Sequence, residues 1–288
     1  MGRKRGSMAV AALAAAAICV LGLMSPPSLG GGQWTPMKVT LLKVGKADAI
    51  VVQNGDKTLV IDAGEEEDGE ELVTFLNHQG VDRVDALIVT HYDRDHVGGA
   101  DTLVETMPVD RVLLPAYQGT HTEYADFMRA LEAKGVQPEL LKEPVEFDLQ
   151  DAHVRVEPPL SYETPGGNAE MDNNFSLITT ITHGEKRLLF TGDAEKQRIR
   201  EWLDSGAAMD CDFLKVPHHG VYNTALKALV EAVSPEQAVI CTSRKNPAEA
   251  RTLEVLKQHN IDVLQTKDGD ITLISDGSRL ELHQRLEH

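Results

Sequence analysis

Two kinds of segment are predicted by the alternation of hydrophobic and polar positions along the chain. From Met37 to Ile61 the apolar runs are short, rich in β-branched residues and separated by turn signals such as Asn54-Gly55-Asp56, which predicts an antiparallel meander. Beyond Glu70, helical periodicity alternates with buried-strand runs such as Ala86-Leu87-Ile88-Val89. The same change recurs after Glu139. Two such halves packed sheet on sheet, with helices outside, predict a four-layer αββα sandwich of the mixed α/β (α+β) class.

The N-terminal pattern is that of an export signal. Basic residues Arg3-Lys4-Arg5 precede an almost wholly apolar stretch from Met8 to Met24, and small residues follow it. An uncleaved anchor is the alternative, because the apolar stretch is close to the shortest that spans a bilayer. We expect an exported protein (extracellular, periplasmic or at the cell surface) with no stable membrane domain beyond this leader. The expected boundaries are 1–30 for the signal peptide or N-terminal anchor, 31–36 for a linker and 37–285 for one domain.

Charge and cysteine content narrow the class of protein. The 288 residues carry a formal net charge of −17, which argues against a broad basic surface for nucleic acid. Nucleic acid is therefore a possible partner that the charge does not favour. After the leader only Cys211 and Cys241 remain, and both lie in or beside predicted buried strands. Free buried thiols are favoured, and one disulfide bond is the alternative.

The densest chemistry directly follows the Ala86–Val89 strand. His91, Asp93, Asp95 and His96 place four side chains that can bind metal within six residues. Imidazole and carboxylate ligands together suit zinc, manganese or iron better than calcium. Three further clusters lie at the ends of predicted strands, and we expect them to meet the first: Asn173 with Asn174, Asp193, and His218 with His219.

Together these motifs resemble those of the metallo-β-lactamase-fold hydrolases, and in particular the hydrolase domain of ComEC-type DNA-uptake proteins. The resemblance runs from about Met37 to Ile274. In place of the Asp-Val-Gly-Gln-Gly-Asp-like opening of that branch, this chain has Lys43-Val44-Gly45-Lys46-Ala47-Asp48. The matching motifs are His91-x-Asp93-x-Asp95-His96-x-Gly98-Gly99, Asn173-x-x-Ser176-Leu177, Leu189-Phe190-Thr191-Gly192-Asp193 and Leu214-Lys215-Val216-x-His218-His219-Gly220.

The resemblance implies a centre for one or two divalent metal ions, zinc or manganese. A first site would use His91 and Asp93, with Asn173 as the nearest match to a third ligand. A second site would use Asp95, His96 and His218, and Asp193 would bridge the two. His219 is either a ligand in place of His218 or a proton donor to the leaving group. Asp62 would lie behind the ligands and fix a ligating imidazole.

The implied chemistry is hydrolysis by a metal-activated water, with Asp95 and His219 as the candidate catalytic residues. The acid-rich ligand set suits hard ions such as manganese and favours phosphoester, especially phosphodiester, substrates. Alternatives are a hydrolase of another small ester, a lactone or a β-lactam, and a non-catalytic metal-binding surface module. Candidates for the substrate rim, each of which could instead be scaffold, are Tyr92, Tyr117, His121 and the 158–171 loop.

Overall fold

The computed structural model describes residues 34–162, 169–207 and 209–286, without the side chains of 169–171. The expected leader, most of the expected linker and part of the 158–171 loop lie outside these ranges. Within the described residues there are fifteen strands in two sheets. Their bounds are β1 Met37–Leu41, β2 Ala49–Asn54, β3 Lys57–Ala63, β4 Ala86–Ile88, β5 Val112–Pro115, β6 Glu139–Leu141, β7 Val145–Leu149, β8 Ala152–Glu157, β9 Ile178–His183, β10 Lys186–Phe190, β11 Phe213–Lys215, β12 Gln237–Ile240, β13 Asp262–Gln265, β14 Ile271–Ser275 and β15 Leu280–Gln284.

Each sheet is antiparallel on one side and parallel on the other. The first has the order β15-β14-β1-β2-β3-β4-β5-β6, in which pairing becomes parallel from β3 onward. The second has the order β13-β12-β11-β10-β9-β8-β7 and becomes parallel at β10. This matches the predicted change from strand meander to alternating strand and helix in each half. The two C-terminal strands depart from that symmetry, because β14 pairs with β1 and completes the first sheet.

Seven α-helices complete the described part of the chain. They are α1 Gly69–His78, α2 Arg94–Val97, α3 Ala100–Thr106, α4 Thr122–Lys134, α5 Lys196–Asp204, α6 Leu226–Val233 and α7 Ala250–Gln258. Residues of α1, α3 and α4 share a hydrophobic cluster with the first sheet, and residues of α5, α6 and α7 share another with the second. A third cluster lies between the sheets. The four-layer αββα sandwich is thereby confirmed.

The pleat of β3 shows how the sequence builds these layers. Leu59 and Ile61 belong to the cluster between the sheets, whereas Val60 belongs to the cluster under the helices. Alternate residues of a strand face opposite sides of its sheet, so a strand buried on both faces must be apolar throughout. This explains why β4, the strand that precedes His91, is apolar throughout.

The two cysteines of the domain agree with the prediction. Cys211 and Cys241 are both free and buried, and burial raises the pKa of each thiol. They therefore act as small packing residues.

Among the helices of the described ranges, none has the length and apolar character needed to cross a membrane.

Candidate metal centre

The candidate residues meet where the two sheets turn from antiparallel to parallel pairing. Asp62 is the second-last residue of β3, and His91 follows β4. Asp193 follows β10, and His219 follows β11. Loops at the carboxyl ends of parallel strands converge at such a switch point, which is the usual place for a ligand site in a sheet of this kind. The centre therefore draws on both sheets.

Two glycines hold the His91–His96 segment against the first sheet. After α2, the chain packs so closely on the loop that follows β3 that a Cβ atom at Gly98 would lie 2.4 Å from the Glu66 nitrogen. A Cβ atom at Gly99 would lie 2.5 Å from the Ala63 oxygen. Any larger residue at either position would push α2 outward. The glycines thus fix where Asp95 and His96 point.

Four side chains form one compact group, which we call the ligand cluster: Asp95, His96, Asp193 and His219. His219 Nε2 is 3.1 Å from Asp193 Oδ2 and 3.3 Å from Asp95 Oδ2. His96 Nε2 is 3.2 Å from Asp193 Oδ1 and 3.3 Å from His219 Nε2. All but Asp95 are buried. Nitrogen and carboxylate oxygen atoms so arranged are a suitable donor set for zinc or manganese.

Hydrogen bonds on the far side of each imidazole ring aim its Nε2 atom into the centre. His96 Nδ1 is 2.8 Å from Asp62 Oδ2, and His219 Nδ1 is 3.0 Å from the Cys241 carbonyl oxygen. His91 Nδ1 is 3.1 Å from the Thr90 hydroxyl, which itself donates to Asp62. When the imidazoles are neutral, as metal ligands must be, these acceptors favour the Nδ1–H tautomer, and Nε2 is then the electron-pair donor. Metal-binding histidines typically have such a partner behind them.

The charges of the ligand cluster attract a cation. Burial opposes protonation of His219, but Asp193 outweighs it and raises the pKa of the imidazole to about 9. Burial likewise opposes protonation of His96, yet Asp193 and Asp62 hold its pKa well above the usual value. The same contacts, against the effect of burial, lower the pKa values of Asp193 and Asp95. Closely spaced buried carboxylates are costly unless positive charge balances them. Protonated imidazoles balance them in the metal-free protein, and a divalent ion would take the place of those protons.

The expected first site is less complete. His91 is fully buried and its Nε2 atom has no hydrogen-bond partner among the described residues, which fits a ligand. The nearest carboxylate oxygen, Asp93 Oδ2, is 3.6 Å away, and the Asp93 side chain is 33% exposed. The buried Asn173 Oδ1 atom also lacks a hydrogen-bond partner. These atoms could hold a second ion, but with one neutral amide among its ligands.

The structure separates the adjacent histidines His218 and His219. Both have left-handed backbone conformations, with φ of 50°. His219 enters the ligand cluster, whereas His218 is partly exposed and its Nε2 atom stays 3.9 Å from Asp193 Oδ2. His218 Nδ1 is instead 3.2 Å from Glu195 Oε1. This geometry supports the stated alternative, in which His219 rather than His218 is the ligand.

The expected rim residues fall in different environments. Tyr92 is fully buried, and its hydroxyl donates to the Pro115 carbonyl oxygen, so the expectation that it lines the rim is corrected. Tyr117 is partly buried, and its hydroxyl oxygen accepts the Tyr92 backbone N–H. His121 Nε2 is 3.8 Å from Asp93 Oδ1 at the exposed side of the first site. Of the 158–171 loop, residues 163–168 lie outside the described ranges.

Two residues near the centre had no role in the sequence analysis. Asp48 and Lys215 are both buried and form an ion pair behind the ligand cluster. The signal for Lys215 was present in the sequence, since a lysine inside the apolar run Phe213–Val216 is unusual for a buried strand. Asp48 also had a sequence signal, since it matches the last aspartate of the Asp-Val-Gly-Gln-Gly-Asp-like opening, but an aspartate in a turn is common and does not by itself indicate a role.

Comparison with protein families identifies the family of the chain. The model of the metallo-beta-lactamase superfamily matches residues 42–244. ComE operon protein 3 of Bacillus subtilis is 30% identical over 198 residues, which are 68% of this chain and 25% of that protein. Recombination protein 2 of Haemophilus influenzae is 25% identical over 86% of this chain and 30% of its own length. Competence protein ComA of Neisseria gonorrhoeae is 26% identical, with 79% and 30% covered. The chain thus spans less than a third of these relatives, which are competence proteins of the ComEC type.

Solved structures agree on the fold. The metallo-beta-lactamase fold protein YhfI from Bacillus subtilis aligns over 83% of this chain and 100% of its own, with a TM-score of 0.57 and 13% identity. A mutant of CmlA beta-hydroxylase aligns over 82% and 53%, with a TM-score of 0.54 and 14% identity. Both likenesses concern the fold alone. By its family match, its four motifs and its two-sheet architecture, the chain belongs to the metallo-β-lactamase superfamily.

Proposed function

We propose that this chain is an exported, metal-dependent hydrolase that cleaves phosphoester bonds, and phosphodiesters in particular. The observation that carries the proposal is the convergence of two imidazole Nε2 atoms and two carboxylates in the ligand cluster, each imidazole held by a hydrogen bond from behind. Burying several charged groups together is costly, and such clusters are more common at functional sites than in purely structural ones.

The ligand cluster would hold the more firmly bound ion through Asp95, His96, Asp193 and His219. His91, Asp93 and Asn173 would hold the other ion at the first site. When bound, such ions activate water and stabilise charge that develops on the substrate. Manganese or zinc fits this mixed set of nitrogen and oxygen donors.

The other residues of the centre prepare these ligands. Asp62 accepts hydrogen bonds from the Thr90 backbone N–H and hydroxyl, at 2.7 Å each, besides contacting His96. One carboxylate thereby orients His96 directly and His91 through Thr90. His219 Nε2 points into the ligand cluster, which favours a ligand role over that of a proton donor to the leaving group.

The charges of the protein and the names of its relatives both indicate the class of substrate. The carboxylates Asp93, Asp95 and Asp193 favour hard ions and therefore phosphoester over β-lactam chemistry. Relatives are named as competence and recombination proteins, which supports a phosphodiester bond. Acidic side chains beside the centre, including Glu65 and Glu195, and the overall charge of −17 oppose a long polyanion. A short or single phosphodiester meets both constraints. Export is supported by the basic and apolar pattern of residues 1–30.

The test begins with metal content in protein purified without added metal. Hydrolysis of bis(p-nitrophenyl) phosphate, a short DNA strand and nitrocefin is then compared with manganese and with zinc. We expect turnover of the phosphodiesters and its loss in Asp95→Ala. Preferential turnover of nitrocefin would replace the phosphodiesterase proposal with a β-lactamase. Bound metal without turnover of any ester would identify a non-catalytic metal-binding module.

A further inference from the structure

Directly behind the ligand cluster lies a buried ion pair that joins the two sheets. Lys215, the last residue of β11, is 0% exposed, and its ammonium group pairs with the Asp48 carboxylate from the loop between β1 and β2. The Lys215 Nζ atom also donates to the Gly192 carbonyl oxygen at 3.1 Å and lies 3.6 Å from Asp193 Oδ1. The lysine thus contacts the turn that carries the central carboxylate.

Asp48 reaches the remaining members of the cluster. Its Oδ1 atom is 3.6 Å from His219 Nδ1, and its Oδ2 atom is 3.8 Å from His96 Nδ1. Its backbone N–H donates to the Asp95 carbonyl oxygen at 3.0 Å. The pair therefore adjoins all four residues of the ligand cluster without being part of it.

A buried ammonium group is not the most economical way to fill this space. A buried ion pair rarely stabilises a protein more than apolar side chains of the same volume, whereas a single unpaired charge there is strongly destabilising. An apolar residue would continue the run Phe213–Leu214 equally well. The charge at Lys215 is thus more readily explained by its neighbours in the centre than by packing.

We infer that Lys215 and Asp48 form a positioning pair that keeps the metal ligands in place. Each of the two buried charges neutralises the other, so neither pulls a ligand out of position. The inference rests on the metal centre of the proposed function and adds to it the residues that set its geometry. A lone Lys215 would turn to Asp193, 3.6 Å away, and compete with the metal for that carboxylate. A lone Asp48 would draw His219 and His96 from the acceptors that orient them.

A double-mutant cycle tests the pair through metal binding rather than activity. The variants are Lys215→Met, Asp48→Asn and the double substitution, and the readouts are the visible spectrum of bound Co²⁺ and its affinity by chelator competition. Substituting a residue that orients a metal ligand typically lowers metal affinity by about 10–100-fold. We expect each single variant to lose at least about tenfold in Co²⁺ affinity and to alter the Co²⁺ spectrum. The double variant should recover most of the affinity and most of the original spectrum.

The matched control is Lys186→Met. Lys186 begins the neighbouring strand β10, and its ammonium group pairs with the Asp212 carboxylate at 2.7 Å, away from the ligand cluster. This substitution should leave the Co²⁺ spectrum and affinity unchanged. Thermal unfolding of every variant separates loss of stability from loss of metal binding.

Single variants that bind Co²⁺ as the unaltered protein does would overturn the inference and leave the proposed hydrolase intact. A double variant that is folded but no better than the single variants would overturn it as well. If a single variant fails to fold, the folded double variant decides, and near-normal Co²⁺ binding supports the pair.

Absence of Co²⁺ binding by the unaltered protein would remove both the pair's role and the proposed function. Normal binding without hydrolysis would contradict only the latter.

Discussion

The two sides of the candidate metal centre differ in how far the protein has assembled them. In the ligand cluster, Asp95, His96, Asp193 and His219 already lie within contact distance of one another. On the other side, His91 is buried and oriented, but Asp93 is partly exposed and Asn173 offers only a neutral amide oxygen. A preassembled and charged set loses less entropy and gains more electrostatic energy on binding a cation than an open, partly neutral one.

This difference indicates that the two ions bind with unequal strength. The ligand cluster should load first and hold its ion during purification. The first site should fill only when metal is supplied, so activity should depend on added metal even where the cluster is full. Four predictions can break or sharpen this comparison.

The largest effect should come from separating the adjacent histidines. His219→Ala removes a member of the ligand cluster, and losing several kcal/mol of charge stabilisation lowers the rate by about 1,000-fold. His218→Ala, which touches Glu195 instead, should cost less than about tenfold in rate. Steady-state kinetics with bis(p-nitrophenyl) phosphate measures both. A larger loss in His218→Ala would contradict the assignment of the cluster.

Asp62→Asn should have the next largest effect, because it weakens the partner of His96 Nδ1 while preserving the side chain's size. We expect a loss of about 10–100-fold in affinity for the more firmly bound ion. Chelator competition measures that loss, with Asp56→Asn in the β2–β3 turn as a control that should bind metal normally. Equal affinity in Asp62→Asn and the unaltered protein would show that His96 needs no such support.

Asn173→Asp should strengthen the weaker site. Replacing the neutral oxygen with a charged one should tighten the ion at the first site by about tenfold, with little change in the affinity of the ligand cluster. Calorimetric titration resolves the two binding steps. Asn174→Asp is the matched control, since Asn174 Oδ1 accepts the Arg198 backbone N–H rather than facing the site. Tightening in the control alone would place the ion of the first site elsewhere.

The smallest effect concerns the stability of the metal-free protein as pH rises. The pKa of His219 is raised from 6.5 to about 9. Its protonated form therefore stabilises the fold fully below about pH 6.5, and this contribution is lost as pH rises through about 9. We expect the melting temperature to fall across that interval by about 2–4 °C for each kcal/mol lost.

Differential scanning calorimetry with and without manganese tests this pH effect. Because metal takes the place of the protons, the metal-loaded protein should show a flatter profile. A metal-free protein whose melting temperature rises between pH 6.5 and 9 would contradict the proton-holding role of His219.

The fold could be predicted from sequence to a large extent, because its strands and helices follow simple periodicity. The hairpin at Asn54-Gly55-Asp56 and the strand before His91 were recognisable by local pattern alone. The return of β14 to the first sheet was not, because a long-range strand pairing leaves no mark in neighbouring residues. The motifs likewise located the metal centre but not its internal arrangement.

The residues that sequence could not place are those whose direction depends on the backbone. His218 and His219 are neighbours of the same type, and the local sequence does not say which imidazole turns inward; in the structure both have left-handed backbone conformations, His219 enters the ligand cluster and His218 contacts Glu195. Tyr92 lies inside the metal motif, yet it packs away from the centre against Tyr117 and Tyr124. Asp48 matches the last aspartate of the family's opening motif, but its ion pair with Lys215, far along the chain, leaves no mark in neighbouring residues.

The contribution of both sheets to one centre also determines when the centre can exist. The ribosome releases Asp62 and the His91–His96 segment well before Asp193 and His219. The four donors of the ligand cluster therefore meet only when the two sheets have packed on each other. A site that is absent from the unfolded chain couples metal binding to folding. An ion that binds the ligand cluster would accordingly do so in the compartment where the two sheets pack together.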